Sequence, residues 1–542
     1  MKIEYLKSTI VKKAFVNAAN KLDENKETVN SLNVFPVPDG DTGTNMSLTM
    51  QSAVKHIRNN SNDSIESIAS AASSGSLMGA RGNSGVILSQ LLRGFSKGLQ
   101  GKEVIDVETL ANSFKLASET AYKAVMKPIE GTILTVAREV AEKAQELVGT
   151  EDDIQSFLEK VIEQGEDALR RTPDMLDVLK QAGVVDAGGK GLIYILKGGL
   201  EAITGKEIVI SDEDFKKEEI KIHQKATEDG EIKFGYCTEF IINKTEYQPE
   251  EFRNYISKYG DSMLVVGSEG VIKVHIHTNN PGEVLEEALK IGELIDIKID
   301  NMRFQHRNQH IEDNDLTQLD KKDNKKYSFI TISMGKGIEN VFKDLNADFI
   351  ISGGQTMNPS TEDILSAIDK VTGENIIILP NNSNIILAAN QAKELSERNI
   401  EVLSTKTIPQ GISALLAFDE ELELEDNLEN MKDAITNIIT GQITYAVRDT
   451  SINNKEIKKD DIIGITNGDI KAVGSSINEV TLELLKESVD EDNDIITLFY
   501  GEDVEEKDAN ELAEKLQEEF EDLDVETIYG GQPLYYYLIS IE

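Results

Sequence analysis

Residues 33–46 read Asn-Val-Phe-Pro-Val-Pro-Asp-Gly-Asp-Thr-Gly-Thr-Asn-Met and stand directly before a segment with helical apolar spacing, Leu48 to Ile57. Asp39 and Asp41 flank one glycine, so the backbone can bend until both carboxylates face one small, hard cation. The N-terminus of the following helix presents free amides, which bind phosphate oxygens. The stretch therefore predicts adjoining metal and phosphate sites. The predicted phosphate-binding residues are Thr42, Gly43, Thr44 and Asn45.

Pro-Asp-Gly-Asp is also a favourable turn sequence, and most such turns only reverse the chain. A binding site is favoured by two more polar, glycine-rich stretches in the same helical region, residues 73–85 and 183–191. Their hydroxyl groups and flexible backbone suit a phosphate cradle. The candidate residues are Ser73, Ser74, Gly75, Asn83, Ser84, Asp186 and Gly188. The second stretch is not a Walker A loop, because no Ser or Thr follows Lys190 and no strand precedes it.

Outward from these loops, apolar residues recur every three or four positions between Leu6 and about Gly205. This spacing is typical of amphipathic helices, and Gly and Pro concentrate between the periodic stretches. We predict about eight helices packed into one domain, residues 1–205.

Beyond Gly205 short β-branched runs such as Glu207–Ile210, Thr238–Ile242 and Val271–Ile276 alternate with helical pieces. Such runs are typical of strands, so we predict a small α+β domain over residues 206–310.

The highly charged residues 311–326 indicate a linker. Strands and helices then alternate through residues 327–542, which predicts an α/β domain with a largely parallel sheet and covering helices. We expect a second block of the same kind to begin near Asp461. The chain is therefore predicted to be multidomain.

The composition excludes several classes of partner. The 542-residue chain has 97 acidic and 56 basic side chains and a net charge of −41, which repels nucleic acids and acidic lipid surfaces. We see no apolar run near the roughly 20 residues that cross a bilayer, and no secretory signal pattern. Cys237 is the single cysteine, so no internal disulfide can form. These features predict a cytoplasmic protein without nucleic-acid partners or direct membrane insertion.

Four motifs together carry a family resemblance: residues 33–46, Gly79–Gly85 (GARGNSG), Pro128–Ile133 (PIEGTI) and Val185–Gly189 (VDAGG). With them the chain resembles, over its whole length, the catalytic subunit of bacterial fatty acid kinase. Its N-terminal domain is similar to the nucleotide-binding subunit of dihydroxyacetone kinase. The resemblance implies an eight-helix barrel with ATP at one end, Thr132 in the nucleotide site, and a C-terminal domain that resembles the fatty-acid-binding partner in fold.

The resemblance also implies a metal site. In the dihydroxyacetone kinases three aspartates hold two Mg²⁺ ions that bridge the ATP phosphates. Asp39 and Asp41 match the last two of these, while Asn33, a neutral ligand, is the nearest match to the first. Phosphoryl transfer depends on positioning and charge neutralisation, so a cation such as Arg81 or Lys190 would complete the catalytic set.

The activity implied by the family is transfer of the ATP γ-phosphoryl group to a fatty acid carboxylate. The fatty acid is presented by a separate binding protein, and the acyl phosphate serves phospholipid synthesis. A homodimer is expected on the same ground. Two alternatives stay open: a metal-dependent phosphatase that uses Asp39 and Asp41, and a regulatory scaffold with a degenerate nucleotide site.

A second metal site is predicted in the middle domain. The segment 271–277 alternates as a strand, so His275 and His277 share one face. Cys237 in another strand-like piece would give three ligands for a Zn²⁺-type ion. The fourth position is open or is filled by Glu239, His306 or His310. A buried cysteine and hydrogen-bonded histidines are the alternative from spacing alone, but the resembled kinase carries such a site.

Two polar loops mark the C-terminal domain. Residues 352–360 and 381–384 each follow a predicted strand and precede a helix, where open α/β sheets bind ligands. Ordinary turns with good helix-capping residues are the alternative. The resemblance implies that this domain helps to dock the fatty-acid-binding partner.

Overall fold

A computed structural model describes residues 2–33, 40–60, 62–125, 127–205, 236–243, 247, 249–268, 271–301, 325–354, 358–446, 450–452, 455–491 and 493–542. The chain forms two compact units, one from Met1–Val209 with Asn324–Glu542 and the other from Ile210–Asp323. The first and last predicted domains thus belong to a single unit. The predicted strand Glu207–Ile210 and all of the predicted linker except Lys325 and Lys326 lie outside the described residues.

The N-terminal region is helical, as predicted. Its helices are α1 (Ser8–Glu24), α2 (Lys26–Asn30), α3 (Thr42–Asn59), α4 (Ile65–Met78), α5 (Gly82–Gly98), α6 (Val107–Ala124), α7 (Ile133–Leu147), α8 (Ile154–Met175), α9 (Asp177–Ala182) and α10 (Ala187–Thr204). Within the described part of this region, eight helices are 14 to 22 residues long. This number agrees with the apolar spacing.

Local sequence sets the helix ends. The side chains of Ser64, Asp106 and Asp153 accept hydrogen bonds from backbone amides in the first turns of α4, α6 and α8. Such caps satisfy amides that have no partner within the helix. Gly183 and Gly205 end α9 and α10 in the left-handed conformation.

Apolar faces of the long helices pack together. Met46, Leu88 and Ile193 belong to one buried cluster, and Ile57 and Phe157 to another. An apolar cavity of about 160 Å³ lies among α1, α5, α6 and α10. The polar candidate residues lie at helix ends, away from this cavity.

The middle unit is a four-stranded antiparallel sheet with two helices, in agreement with the predicted α+β class. Its elements are β1 (Tyr236–Asn243), α11 (Pro249–Ile256), a 3₁₀ turn (Ser257–Tyr259), β2 (Gly260–Ser268), β3 (Val271–Thr278), α12 (Pro281–Leu289) and β4 (Glu293–Asn301), with strand order β2-β3-β1-β4. Phe252 on α11 and Val284 on α12 pack against Phe240 and Val274 of the sheet.

The C-terminal region begins with a parallel sheet of order β6-β5-β7-β8. Its elements are β5 (Tyr327–Ser333), α13 (Lys336–Asp344), β6 (Phe349–Ser352), α14 (Thr361–Lys370), β7 (Asn375–Leu379), α15 (Ile386–Leu395), β8 (Asn399–Val402), α16 (Ile408–Leu416) and α17 (Leu424–Asn437). Every residue of β5 is buried, as is typical of a parallel strand covered on both faces.

The second block differs from the predicted parallel arrangement. It contains β9 (Ile439–Tyr445), β10 (Thr450–Ile452), β11 (Lys455–Ile457), β12 (Ile462–Thr466), β13 (Asp469–Gly474), α18 (Ile477–Ser488), β14 (Ile495–Tyr500), α19 (Glu506–Glu519), β15 (Asp524–Tyr529) and β16 (Tyr537–Ile541). The sheet order is β13-β12-β9-β16-β14-β15, and only β14 and β15 pair in parallel. Asn467 and Gly468 both have positive φ, so this Asn-Gly turn makes β12 and β13 a hairpin.

The parallel sheet packs directly on the helical region. Ala80 and Val86, which lie at the junction of α4 and α5 and in α5, share one buried apolar cluster with Ile330, Ile364 and Ala389. The loops that follow β6 and β7 therefore lie beside the start of α5.

Candidate functional site at the helix N-termini

The predicted acidic loop ends at the start of α3. Helix α3 begins at Thr42, with Asp41 as the N-cap residue, so Thr42, Gly43, Thr44 and Asn45 form its first turn. The hydroxyl of Ser84 in α5 donates to Thr42 Oγ1 at 3.5 Å. Two helix N-termini thus lie side by side, and their dipoles favour an anion between them. Asp39 lies outside the described residues.

Asp41 is buried, with 7% of its surface exposed. The side-chain amide of Asn358 donates to Asp41 Oδ2 at 2.5 Å, and Asn45 also hydrogen-bonds this carboxylate. Burial raises the pKa of Asp41, and the two hydrogen bonds oppose that rise. A buried carboxylate flanked by amides has the donor chemistry that Mg²⁺ prefers.

Asn30 was not predicted as part of the site. Its Oδ1 accepts a hydrogen bond from the Thr44 amide at 3.0 Å, and its Nδ2 donates to Thr44 Oγ1 at 3.0 Å. The Thr44 amide is therefore already paired. Asn33, the predicted weak metal ligand, lies after the C-terminal end of α2, and its amide donates to the Asn30 carbonyl.

Arg81 contacts the C-terminal region. Its Nη1 donates to the Asn358 carbonyl at 2.7 Å, and its Nη2 lies 3.4 Å from Asp363 Oδ2. This predicted catalytic cation therefore anchors the loop before α14. The other predicted cation, Lys190, lies 5.0 Å from the Tyr194 ring centroid.

The predicted loop at residues 73–85 is mostly helical, which corrects the sequence interpretation. Ser73, Ser74 and Gly75 lie in the last turns of α4, and only Gly79, Ala80 and Arg81 connect α4 to α5. Helix C-termini present carbonyl groups rather than amides, so they repel phosphate. Gly75 also packs against His56, and its carbonyl accepts from the Ser52 hydroxyl at 2.8 Å.

Asn83 and Ser84 keep positions suited to a ligand, because they lie in the first turn of α5. Asn83 Nδ2 also donates to Asn384 Oδ1 of the loop after β7 at 3.1 Å. Both predicted C-terminal loops thus touch the helical region: Asn358 reaches Asp41, and Asn384 reaches Asn83. Residues 355–357 of the first loop lie outside the described residues.

Thr132, Asp186 and Gly188 meet at the N-termini of α7 and α10. The Asp186 carboxylate accepts from the Gly189 amide at 2.7 Å and also from the amide of Ile133. Burial nevertheless raises the pKa of Asp186 to about 6. Thr132 caps α7, and a Cβ on Gly188 would lie 3.2 Å from Ile133 Cβ. Helix α10 reaches α3 where Gly191 packs on Met46.

The predicted zinc ligands lie on neighbouring strands. In the antiparallel register of β1 and β3, Cys237 is directly opposite His277, and Glu239 is opposite His275. Their side chains, and also His306 and His310, lie outside the described residues. Among the side chains that are described, no group of three or more His, Cys, Asp and Glu could hold a metal ion. No helix in the described ranges is long and apolar enough to cross a bilayer.

Two solved structures share limited similarity with the chain. One is the dihydroxyacetone kinase from C. freundii in complex with AMP-PNP and Mg²⁺, with 18% identity, a TM-score of 0.28, and coverage of 37% of this chain and 34% of that one. The other is a DegV family protein from Corynebacterium glutamicum, with 14% identity, a TM-score of 0.30, and coverage of 40% and 95%.

Sequence comparisons are more extensive. Protein YloV of Bacillus subtilis is 45% identical over 555 residues and covers 100% of both chains. An uncharacterized protein of Staphylococcus aureus strain USA300 is 44% identical over 537 residues, 97% of both chains. Residues 36–201 match the DAK2 domain, 233–309 the middle domain of the FakA-like fatty acid kinases, and 328–542 the C-terminal domain of the same FakA-like proteins. The chain therefore belongs to the FakA-like fatty acid kinase family, whose members combine these three domains.

Proposed function

We propose that this chain is the ATP-dependent kinase component that phosphorylates a fatty acid carboxylate held by a separate fatty-acid-binding protein. The product would be an acyl phosphate for phospholipid synthesis. The DAK2 domain and the two FakA-like domains support a kinase. The observation that carries the proposal is the buried Asp41 carboxylate at the N-cap of α3, beside the first turn of α5.

The residues of this chain fit a Mg²⁺ and ATP site. Asp41, together with Asp39 from the same loop, would hold Mg²⁺, which when bound neutralises phosphate charge during phosphoryl transfer. First-turn amides of a helix have no acceptor within the helix, so those of Thr42 and Gly43 suit phosphate oxygens. The first turn of α5, with Asn83 and Ser84, adds a second N-terminus of the same polarity.

The remaining candidates have supporting roles in this proposal. Asp186 joins the N-termini of α7 and α10, and thereby fixes Thr132 and Gly188 at the edge of the site. Arg81 holds the loop that carries Asn358, so we assign it to positioning.

The fatty-acid-binding protein would dock on the C-terminal α/β region. The contacts of that region with the start of α5 support this proposal, because a docked partner would lie near the nucleotide. We also propose a homodimer and a cytoplasmic location on the basis of the family resemblance.

A zinc site in the middle unit is a separate proposal. The opposed positions of Cys237 and His277 support it, because directly opposed residues on antiparallel strands have Cβ atoms about 4.5–5.5 Å apart. His275 lies two residues away on the same face of β3 and would supply the third ligand.

The decisive experiment mixes the full-length protein with ATP, Mg²⁺, a long-chain fatty acid and a fatty-acid-binding protein. We expect acyl phosphate that depends on the binding protein and is lost in the double variant Asp39→Ala, Asp41→Ala. Phosphate release without an acyl acceptor would favour the phosphatase. ATP binding that survives the double substitution would favour the regulatory scaffold.

A further inference from the structure

Asn358 lies between the two regions of the large unit. It follows β6, precedes α14, and only 1% of its surface is exposed. Its Nδ2 donates to Asp41 Oδ2 at 2.5 Å, whereas its Oδ1 is buried without a hydrogen-bond partner among the described residues. A buried polar atom without a partner is costly, so it indicates a ligand that completes the site.

The backbone around Asn358 is held firmly. Its carbonyl accepts from Arg81 Nη1 at 2.7 Å, and the amide of Thr361 donates to the Ala80 carbonyl at 3.2 Å. Ser360 and Asp363 form a reciprocal capping box at the start of α14. The Asn358 amide therefore reaches Asp41 from a rigid support, which is the condition for orienting a metal ligand.

Gly82 leaves the room that this contact needs. A Cβ on Gly82 would lie 2.6 Å from Asn45 Nδ2 and 3.3 Å from Asn358 Nδ2. Both amides that bond the Asp41 carboxylate thus pass over the same glycine.

We propose that Asn358 is a positioning residue of the metal site at Asp41, supplied by the C-terminal region of the same chain. Its amide fixes the Asp41 carboxylate so that the remaining lone pairs face the cation. Its unpaired Oδ1 accepts a hydrogen bond from a water that accompanies the cation. This inference rests on the proposed Mg²⁺ and ATP function.

The consequence is that the C-terminal region acts on nucleotide binding as well as on partner docking. Hydrogen-bond partners of metal-ligating carboxylates typically change metal affinity by about 10- to 100-fold when they are removed. Asn358→Ala should therefore weaken metal binding without changing the ligands themselves.

The test measures Mn²⁺ binding to the full-length protein by electron paramagnetic resonance in the presence of AMP-PNP. We expect the Kd for Mn²⁺ to rise about 10- to 100-fold in Asn358→Ala. Asn384→Ala, which removes the parallel contact with Asn83, should stay within about twofold, because Asn384 does not touch Asp41. In the carrier-dependent assay, Asn358→Ala should raise the Mg²⁺ concentration needed, while kcat at saturating Mg²⁺ stays near wild type.

Asn358→Asp keeps the side-chain shape and provides a readout of its own. It places a second carboxylate against Asp41, so Mn²⁺ should raise its melting temperature more than that of the wild type. Equal stabilisation of the two proteins, an unchanged Kd in Asn358→Ala, or tighter Mn²⁺ binding by Asn358→Ala would each overturn the inference. A wild-type protein without nucleotide-dependent Mn²⁺ binding would instead refute the proposed function itself.

Discussion

Gly82 lies against the side-chain amide of Asn45, so close that a methyl group at position 82 would come within 2.6 Å of Asn45 Nδ2. Gly82 also has a φ of +56°, a conformation that favours glycine. The start of α5 and the first turn of α3 therefore meet without an intervening side chain.

We expect Gly82→Ala to weaken Mg²⁺ and ATP binding by about tenfold or more, because it displaces an amide that bonds Asp41. Gly101→Ala is the matched control: Gly101 has a φ of +68°, but a Cβ there meets nothing within 4 Å. Both variants should lose about 1 kcal/mol of stability from backbone strain. Isothermal titration calorimetry with AMP-PNP and Mg²⁺ measures the difference, and equal affinities for the two variants would contradict the prediction.

Asp41→Asn should abolish metal binding and yet stabilise the metal-free protein. The substitution removes a ligand charge, so the loss of Mn²⁺ affinity should exceed the roughly 10- to 100-fold typical of outer-shell changes. It also removes a buried negative charge whose pKa is raised by burial. We expect the melting temperature without metal to rise by about 1 to 2 °C. A lower melting temperature would show that Asp41 stabilises the fold rather than the site.

Arg81→Ala should loosen the loop before α14. Its charge-assisted hydrogen bond to the Asn358 carbonyl is worth about 1.5–3 kcal/mol, so the amides of Ser360 and Thr361 should exchange with solvent about tenfold faster or more. Arg93→Ala, at an exposed position on the same helix, should leave this exchange unchanged. Unchanged exchange in Arg81→Ala together with a large loss of kcat would assign Arg81 to the phosphoryl group.

Asp186 should give the protein a stability term that falls as pH rises. Burial raises its pKa from 3.8 to about 6, so the folded state favours the protonated carboxyl group. The contribution is complete below about pH 4, is lost between about pH 4 and 6, and amounts to about 3 kcal/mol. The melting temperature of the wild type relative to Asp186→Asn should therefore increase as pH is lowered from 7 to 5. Parallel curves for the two proteins would contradict the raised pKa.

The full-length protein should contain about one zinc ion per chain when purified without chelator, as measured by inductively coupled plasma mass spectrometry. Cys237→Ser and His277→Ala should each remove it. Cys237 and His277 are directly opposed on β1 and β3, so loss of either leaves too few ligands. Retained zinc in Cys237→Ser would exclude this site, and a variant at Lys258 in the same unit is the control.

Local patterns predicted the local structure well. Apolar spacing gave the long helices, and the β-branched runs gave β1, β3 and β7, because side-chain periodicity depends only on neighbouring residues. The same spacing placed Ser73 and Gly75 in a loop, although both belong to α4. Small and polar residues resemble loop composition, but here they allow α4 to pack closely on His56.

Long-range pairings were not accessible from sequence patterns. The second sheet was expected to be parallel, yet β9 lies between β12 and β16, which follow it in the chain by different connections. The Asn467-Gly468 dipeptide was the available signal for its hairpin. Asn358 and Asp41 are 317 positions apart, so their hydrogen bond follows from the packing of whole domains. The polar strand-end loop that contains Asn358 was identified, but its contact was not.

The shared cluster of Ala80, Val86, Ile330 and Ile364 has a consequence for synthesis on the ribosome. Val86 leaves the ribosome long before Ile330, and at about 5–20 residues per second the interval is roughly 10 to 50 s. During that interval the apolar start of α5 lacks its native cover. Substitutions there should therefore lower the yield of nascent protein, and chaperones that shield apolar surface should act before the parallel sheet emerges.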